Sequence, residues 1–267
     1  MTKTAFVAIV GKPNVGKSSL LNKMLGQKIA IVSSKPQTTR TKIMGVLTKG
    51  ETQLVFTDTP GFHKAHNKLG EKMNEAVGDT VGGVDACLFL TEPRGELNEQ
   101  ELQLLEMFKK QKMPVILAIN KIDMINDKEE LFKRIVYLTS FYDFTAVVPV
   151  SATEGDHVDE LIDELDKLAF ESPHFFPDDT LTDQPERVLA AEIIREKILR
   201  LMDKEIPHGI AVAVEKMRER DDKDILDIDA TIYCERESHK GMVIGKNGSM
   251  LKKVSTYARQ DLEKFFQ

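Results

Sequence analysis

The chain has 267 residues, 41% hydrophobic and 30% charged, a globular balance with length enough for two domains. Its 43 acidic and 37 basic residues leave a net charge of −6, which excludes a nucleic-acid footprint spread over the whole surface and leaves room only for a local basic patch. No apolar run approaches the roughly 20 residues that span a bilayer; residues 1–10 lack a cleavable leader pattern; and two cysteines, Cys87 and Cys234, far apart in apolar runs, exclude a disulfide framework and point to a reducing cytoplasm.

Over the first 150 residues, short apolar runs alternate with helical patterns. The runs fall at residues 6–10, 54–56, 84–90, 115–119 and 147–150, apolar nearly throughout, as strands covered on both faces are. Helical periodicity marks residues 17–25, 97–111, 128–139 and 158–170. The alternation predicts an α/β fold with a doubly wound, mostly parallel sheet, its ligand loops gathered on one edge. Residues 171–179, with Pro173, Pro177 and the pair Asp178-Asp179, break the rhythm. The expected domains are therefore residues 1–172, a linker at 173–184, and a smaller α+β unit at 185–267. That unit reads as a helix over residues 185–202, two period-2 strands around 210–214 and 228–234 joined through the charged residues 219–224, and two helical pieces split by Gly245-Lys246-Asn247-Gly248.

Gly11-Lys12-Pro13-Asn14-Val15-Gly16-Lys17-Ser18 has the form G-x-x-x-x-G-K-[ST], directly after a strand and before a helix. Glycines let the backbone wrap with amides pointing inward, and the helix N-terminus adds positive potential for an anion. Lys17 reaches the outer phosphates, and the Ser18 hydroxyl serves Mg2+. Asn120-Lys121-Ile122-Asp123 follows the strand at 115–119. The Asp123 carboxylate can accept from the two donors of guanine, whereas adenine would leave it unmet at about 1–3 kcal/mol or more. Asn120 ties neighbouring loops, the Lys121 stem can cover the base, and Ser151-Ala152-Thr153 offers a backbone amide to the guanine carbonyl.

Asp58-Thr59-Pro60-Gly61 follows the run at 54–56. Asp58 suits magnesium through oxygen, the Gly61 amide suits the γ-phosphate, and Asp58, Thr59, Pro60, Gly61 and Phe62 are together expected at the phosphates. Gln37-Thr38-Thr39-Arg40-Thr41 lies between the first helix and that strand. Thr39 is the choice for closing over magnesium, with Thr38 open as the alternative. Ser18, Thr39 and Asp58 are thus the expected metal set. Both segments would order around the γ-phosphate and relax when it leaves. Phe62 stands where Ras-like proteins carry glutamine. A phenylalanine cannot orient water, so slow turnover is expected, and the residue types name no catalytic base.

In the C-terminal unit, Gly245 and Gly248 allow close backbone approach to a single strand's phosphates. Lys246 and Asn247 lie between them, and Val243 and Ile244 would line an apolar base groove. Lys240, Lys246, Lys252, Lys253 and Arg259 fall in residues 238–260, which contain no acidic residue. This is the local patch that the overall charge requires. No histidine has zinc-ligand spacing with cysteine.

The five nucleotide motifs resemble those of translation-factor-related GTPases, and Gly241-Met242-Val243-Ile244-Gly245-Lys246-Asn247-Gly248 resembles the glycine loop of KH domains. With Gln37-Thr38-Thr39-Arg40 and Asp58-Thr59-Pro60-Gly61-Phe62, the whole chain resembles the bacterial Era family. The resemblance implies a P-loop GTPase domain followed by a type II KH domain. It implies a slow GTP-to-GDP switch, dependent on Mg2+, that acts on small-subunit ribosomal RNA near its 3′ end and matures the small ribosomal subunit. A monomeric, cytoplasmic protein with peripheral contact to the inner membrane is implied as well. Family members continue with a further strand and basic tail, so a KH-like unit incomplete at its C-terminus is expected here. The competing readings are an RNA chaperone-like module with negligible turnover and an RNA-modification GTPase. The absence of a covalent-chemistry constellation in the C-terminal unit counts against the latter.

Overall fold

A computed structural model of the chain describes residues 1–33, 35, 38–39, 42–59, 80–202, 209–221 and 223–266. The described residues divide into two compact units: residues 1–29 with 39–183, and residues 30–38 with 184–267.

The first unit is built on strands β1 (Lys3–Gly11), β2 (Ile43–Lys49), β3 (Thr52–Asp58), β4 (Ala86–Thr91), β5 (Val115–Ile119), β6 (Ala146–Pro149) and β7 (Phe170–Glu171). They lie in the order β2-β3-β1-β4-β5-β6, with β7 antiparallel to the start of β1. All neighbours from β3 to β6 are parallel, and β2, like β7, is antiparallel to its partner, here β3. The central strands β3, β4 and β5 are buried along their whole length, because both faces are covered. Ala8 and Val10 of β1 join Phe89, Leu117, Leu104, Leu105 and Phe108 in one layer with helices α2 (Glu99–Gln111) and α3 (Lys128–Thr139). Helix α1 (Lys17–Leu25) packs on β2, β3 and α4 (Val158–Asp166). Leu20, Leu21, Leu161 and Leu165 are wholly buried there, each contributing about 1.5–3 kcal/mol of apolar transfer. Asn98 starts α2 with a reciprocal cap: its side chain accepts from the Glu101 amide at 2.9 Å, and Glu101 accepts from the Asn98 amide at 2.9 Å.

Register places the site. Ile9 sits beside Asp58, Gly11 beside Leu90, Thr91 beside Ile119, and Ile119 beside Pro149. The C-terminal ends of β1, β3, β4, β5 and β6 therefore share one edge, and β1 lies at the point where the strand order switches direction.

The stretch expected as a linker is fastened along this unit. The Ser172 amide donates to Thr2 at 3.1 Å, the Phe175 and Phe176 amides to the Gln53 side-chain oxygen at 2.8 and 3.0 Å, and the Val46 amide to Leu181 at 2.9 Å. The Phe175 ring meets Phe6 edge-on at 5.1 Å. Gln53 is fully buried, so those bonds also satisfy a polar group inside the unit.

The second unit follows the expected order: α5 (Glu186–Leu201), β8 (Ile210–Arg220), β9 (Lys223–Cys234), α6 (Glu237–Ile244) and α7 (Ser249–Phe265). The hairpin pairs Ile210 with Cys234 and runs out to Arg220 opposite Lys223. The strands thus continue into the charged stretch read as a connection. The cross-strand bonds of Arg220 to Asp227, at 2.7 and 2.8 Å, extend the ladder where side chains face water. The core joins Ile198, Met202, Ile210, Val243 and Val254, with Ala190, Ile193 and Leu262 beside it. Both cysteines are free, and burial pushes the Cys87 thiol up to about 12, which leaves it unreactive.

Candidate guanine-nucleotide site

Two backbone constraints shape the first loop. Gly11 has φ 149°, and a Cβ there would stand 2.4 Å from the Leu90 carbonyl oxygen. Gly16 has φ 105°, and a Cβ there would stand 2.1 Å from the Asn120 Nδ2. Only glycine meets both the torsion and the space. Helix α1 begins at Lys17 with no side-chain cap and no acidic residue in its first turn, which leaves an N-terminus suited to an anion. Lys12, Pro13 and Asn14 border the loop, whereas the Val15 side chain is wholly buried as packing.

Lys17 is buried, and its amine donates to the Gly11 and Lys12 carbonyls at 3.1 Å each. Burial lowers it to about 8, against the pull of Asp58 and Glu101. Asp58 is fully buried. Burial lifts its carboxyl to about 6, opposed by Lys17 and by the Ser18 hydroxyl. Each shift favours the neutral form of a group that the site needs charged. Charging Lys17 below pH 8 and Asp58 above pH 6 costs the free protein stability, a cost that an anion beside Lys17 and a cation beside Asp58 would offset.

The Ser18 hydroxyl donates to Asp58 Oδ2 at 2.6 Å and lies 3.0 Å from the Thr39 hydroxyl. Asp58 Oδ1 is buried without a hydrogen-bond partner. Two hydroxyls and an unmet carboxylate oxygen form a donor set that suits a hard divalent cation, so the expected metal residues fit. Thr38 faces elsewhere: its hydroxyl donates to the Lys35 carbonyl at 2.6 Å and lies 2.7 Å from the Ser33 hydroxyl. Thr59, expected among the phosphate contacts, spends its hydroxyl on the Ile9 carbonyl at 2.8 Å. Gln37, Arg40, Thr41, Pro60, Gly61 and Phe62 lie outside the described residues.

Asn120 is buried and ties three strand ends together. Its Nδ2 donates to the Val15 carbonyl at 2.8 Å, its Oδ1 accepts the Ala152 amide at 3.0 Å, and its own amide donates to Thr91 at 2.9 Å. The Ser151 hydroxyl donates to Asp123 Oδ1 at 2.6 Å, which orients the exposed carboxylate. The Ile122 amide donates to Val150 at 3.3 Å, and Thr153 is exposed at the rim. Lys121 has φ 67°, and its amine donates to the Asn14 carbonyl at 2.8 Å and to Glu92 at 2.6 Å. Sequence reading missed Glu92, which no local motif marks.

It also missed what holds residues 30–38. The Val32 amide donates to Glu196 at 2.9 Å, Arg200 donates to the Val32 carbonyl at 2.9 Å, and Arg195 donates to the Thr38 carbonyl. Arg195 and Glu196 are buried in α5. Charged residues inside a helix whose apolar positions form no clean stripe were the available signal.

In the second unit, α6 ends at Gly245 with φ 72°, and α7 starts from Gly248 with φ 74°. Lys240, Lys246, Asn247, Lys252 and Lys253 are exposed, as is Ile244 at 39%. Val243 corrects the sequence reading. It packs against Ile198, Met202, Ile210 and Val254 and is 4% exposed, so it serves the core rather than a base groove. His239, four residues earlier, turns to the same buried side.

The sheet, the loop and the Asn-Lys-Ile-Asp turn at one strand edge are those of a P-loop GTPase. The model described as "50S ribosome-binding GTPase" matches residues 6–121, and that described as "KH domain" matches residues 205–267. The GTPase Era of Clostridioides difficile is 50% identical over 263 residues, 98% of this chain and 89% of that protein. That of Thermoanaerobacter pseudethanolicus is 50% identical over 266 residues, 99% of this chain and 87% of its own. Two solved structures superpose on nearly the whole chain at 38% identity. Era in complex with MgGDPNP and nucleotides 1506–1542 of 16S ribosomal RNA has a TM-score of 0.93, covering 98% of this chain and 89% of that one. An Aquifex aeolicus Era variant bound to GDP and aluminium fluoride has a TM-score of 0.94, with 99% and 90% covered. The chain belongs to the GTPase Era family.

Proposed function

We propose that this protein is a GTP-hydrolysing switch that binds small-subunit ribosomal RNA and acts in small-subunit assembly. The nucleotide site lies within residues 1–172, and the RNA-binding unit within residues 185–267. The observation that carries the reading is the convergence of Lys17, Ser18, Asp58, Asn120 and Asp123 on one sheet edge, in a chain whose second unit presents a glycine turn among exposed lysines. Lys17 and the α1 N-terminus bind the phosphates, and Asp123, held by Ser151, accepts from guanine. Ser18 and Asp58, with Thr39, would hold Mg2+, which when bound neutralises charge on the outer phosphates. Lys240, Lys246, Asn247, Gly248, Lys252 and Lys253, with Ile244, would contact RNA backbone and bases; the solved 16S ribosomal RNA complex of a 38% identical Era supports this assignment. No helix among the described residues is long and apolar enough to cross a membrane. A monomer in the cytoplasm, touching the inner membrane only peripherally, completes the proposal on the family resemblance alone.

The test is single-turnover phosphate release from GTP with magnesium, with and without an RNA matching the 3′ end of the small-subunit ribosomal RNA. Slow release that responds to that RNA, and not to an unrelated one, is expected. Release indistinguishable from buffer under every condition would refute the enzymatic part, and equal binding of both RNAs the specific part.

A further inference from the structure

Glu92 directly follows β4, between the phosphate loop and the guanine turn. One carboxylate oxygen pairs with Lys12, and the other with Lys121 at 2.6 Å. All three side chains are about 70% buried, with exposures of 28% for Lys12 and Glu92 and 31% for Lys121. Burial alone would raise the Glu92 carboxyl, but its bonds to the two lysines hold it below the ordinary value. The backbone beneath it is braced from α3. Buried Arg134 donates to the Glu92 carbonyl at 3.0 Å and also to the Gly95 carbonyl. Arg94 forks onto Glu130 through its Nε and, at 3.0 Å, through its Nη2. The carboxylate therefore sits on a fixed platform rather than on a loose loop.

Lys121 needs such a platform. Its left-handed backbone is unfavourable for a residue with a Cβ and persists only where surroundings over-determine it. Its amine has two acceptors here, the Asn14 carbonyl and Glu92. Without the carboxylate, the amines of Lys12 and Lys121 would face each other as like charges, and Lys121 would swing away to reach water.

We propose that Glu92 is a positioning residue for base recognition: by gripping Lys121 it holds the lysine stem where the purine lies, and by gripping Lys12 it fixes that stem relative to the phosphate loop. This rests on the nucleotide-site assignment above and adds a residue to it. Both carboxylate oxygens of Glu92 are spent on the two lysines. Its effect falls on the base side of the ligand, and it raises affinity for nucleosides over bare polyphosphate.

The experiment measures dissociation constants for GTP, ATP and inorganic triphosphate in the wild type, Glu92→Gln, Lys121→Met and the double variant. Glu92→Gln is expected to weaken GTP about three- to tenfold, the range of one charge-assisted contact, and to leave inorganic triphosphate as tight or tighter. In the Lys121→Met background, the Glu92→Gln effect on GTP is expected to vanish. Equal weakening of GTP and triphosphate would mean a merely structural role and overturn the proposal. A Glu92 effect that survives without Lys121 would overturn it as well. Should Glu92→Gln fail to fold, Glu92→Asp, too short to bridge both amines, gives the same comparison. Failure of the site assignment shows separately, as a wild type without GTP-over-ATP preference or a Lys121→Met protein with unchanged GTP affinity.

Discussion

Replacing Asn120 with alanine tests the physical unity of the nucleotide site. The side chain is 2% exposed, so removing it cannot simply trade protein bonds for water. Two bonds disappear, at 2.8 Å to the Val15 carbonyl and at 3.0 Å from the Ala152 amide. A neutral bond contributes about 1 kcal/mol, and a buried group left unmet costs about 1–3 kcal/mol. Partial relaxation of the Val15 and Ala152 peptides offsets some of that, so the expected loss is about 2–4 kcal/mol. For a unit of this size, each kcal/mol moves the melting temperature by about 2–4 °C, so the nucleotide-free variant should melt roughly 5–15 °C lower. GTP affinity should fall more than tenfold, because the phosphate loop and the guanine turn would no longer be held in one geometry before binding. The assays are a thermal melt followed by tyrosine absorbance and titration with a fluorescent GTP analogue. A melt within 2 °C of wild type together with unchanged affinity would refute the claim that this amide joins the loops.

Other expectations follow from the same site. A bound triphosphate restores the charge on Lys17, which titrates at about 8 in the free protein. GTP affinity should therefore hold between about pH 6 and pH 8 and fall above pH 8 by up to about tenfold per unit. Calorimetry in two buffers at pH 9 should show proton uptake, and its absence would sink the assignment. At the acid end, the Asp58 carboxyl protonates below about 6, so the magnesium-dependent part of GTP binding should decline as pH drops through 6. Gly16→Ala introduces a Cβ 2.1 Å from Asn120 Nδ2 at φ 105° and should abolish nucleotide binding; retained binding would show that the loop reshapes freely. Asp123→Asn should move preference from GTP to xanthosine triphosphate, measured by competition, and a variant still selecting GTP would argue against the carboxylate as the base reader.

Strands covered on both faces are written as unbroken apolar runs, so β5 over Val115–Ile119 and the helices over Lys17–Leu25 and Lys128–Thr139 were legible residue for residue. Strand β2 was not. Its third residue is Gly45, which weakens the pattern, yet a Cβ there would press within 2.8–3.1 Å of Leu25, Leu21 and Ile29. The glycine is a packing requirement of α1, and packing between distant elements leaves no local trace. The nucleotide-site residues were readable because each motif carries its chemistry in the spacing of residues within a single loop. Glu92, Arg195 and Glu196 act across elements, and nothing next to them in sequence announces the partner. Residues 173–184 look like a tether by proline content, but buried Gln53, which no periodicity marks, pins them down.

The apportioning of residues 30–38 to the second unit changes what counts as a module. The backbone passes between the two units three times, at 29/30, 38/39 and 183/184, so a single proteolytic nick at 183/184 severs only one of three covalent links. A fragment cut to residues 184–267 would keep Glu196 and Arg195 yet lose the Val32 amide and the Thr38 carbonyl that bond to them. The peptide bond between Thr38 and Thr39 is a watershed: one residue answers to α5, the next to the Ser18 hydroxyl.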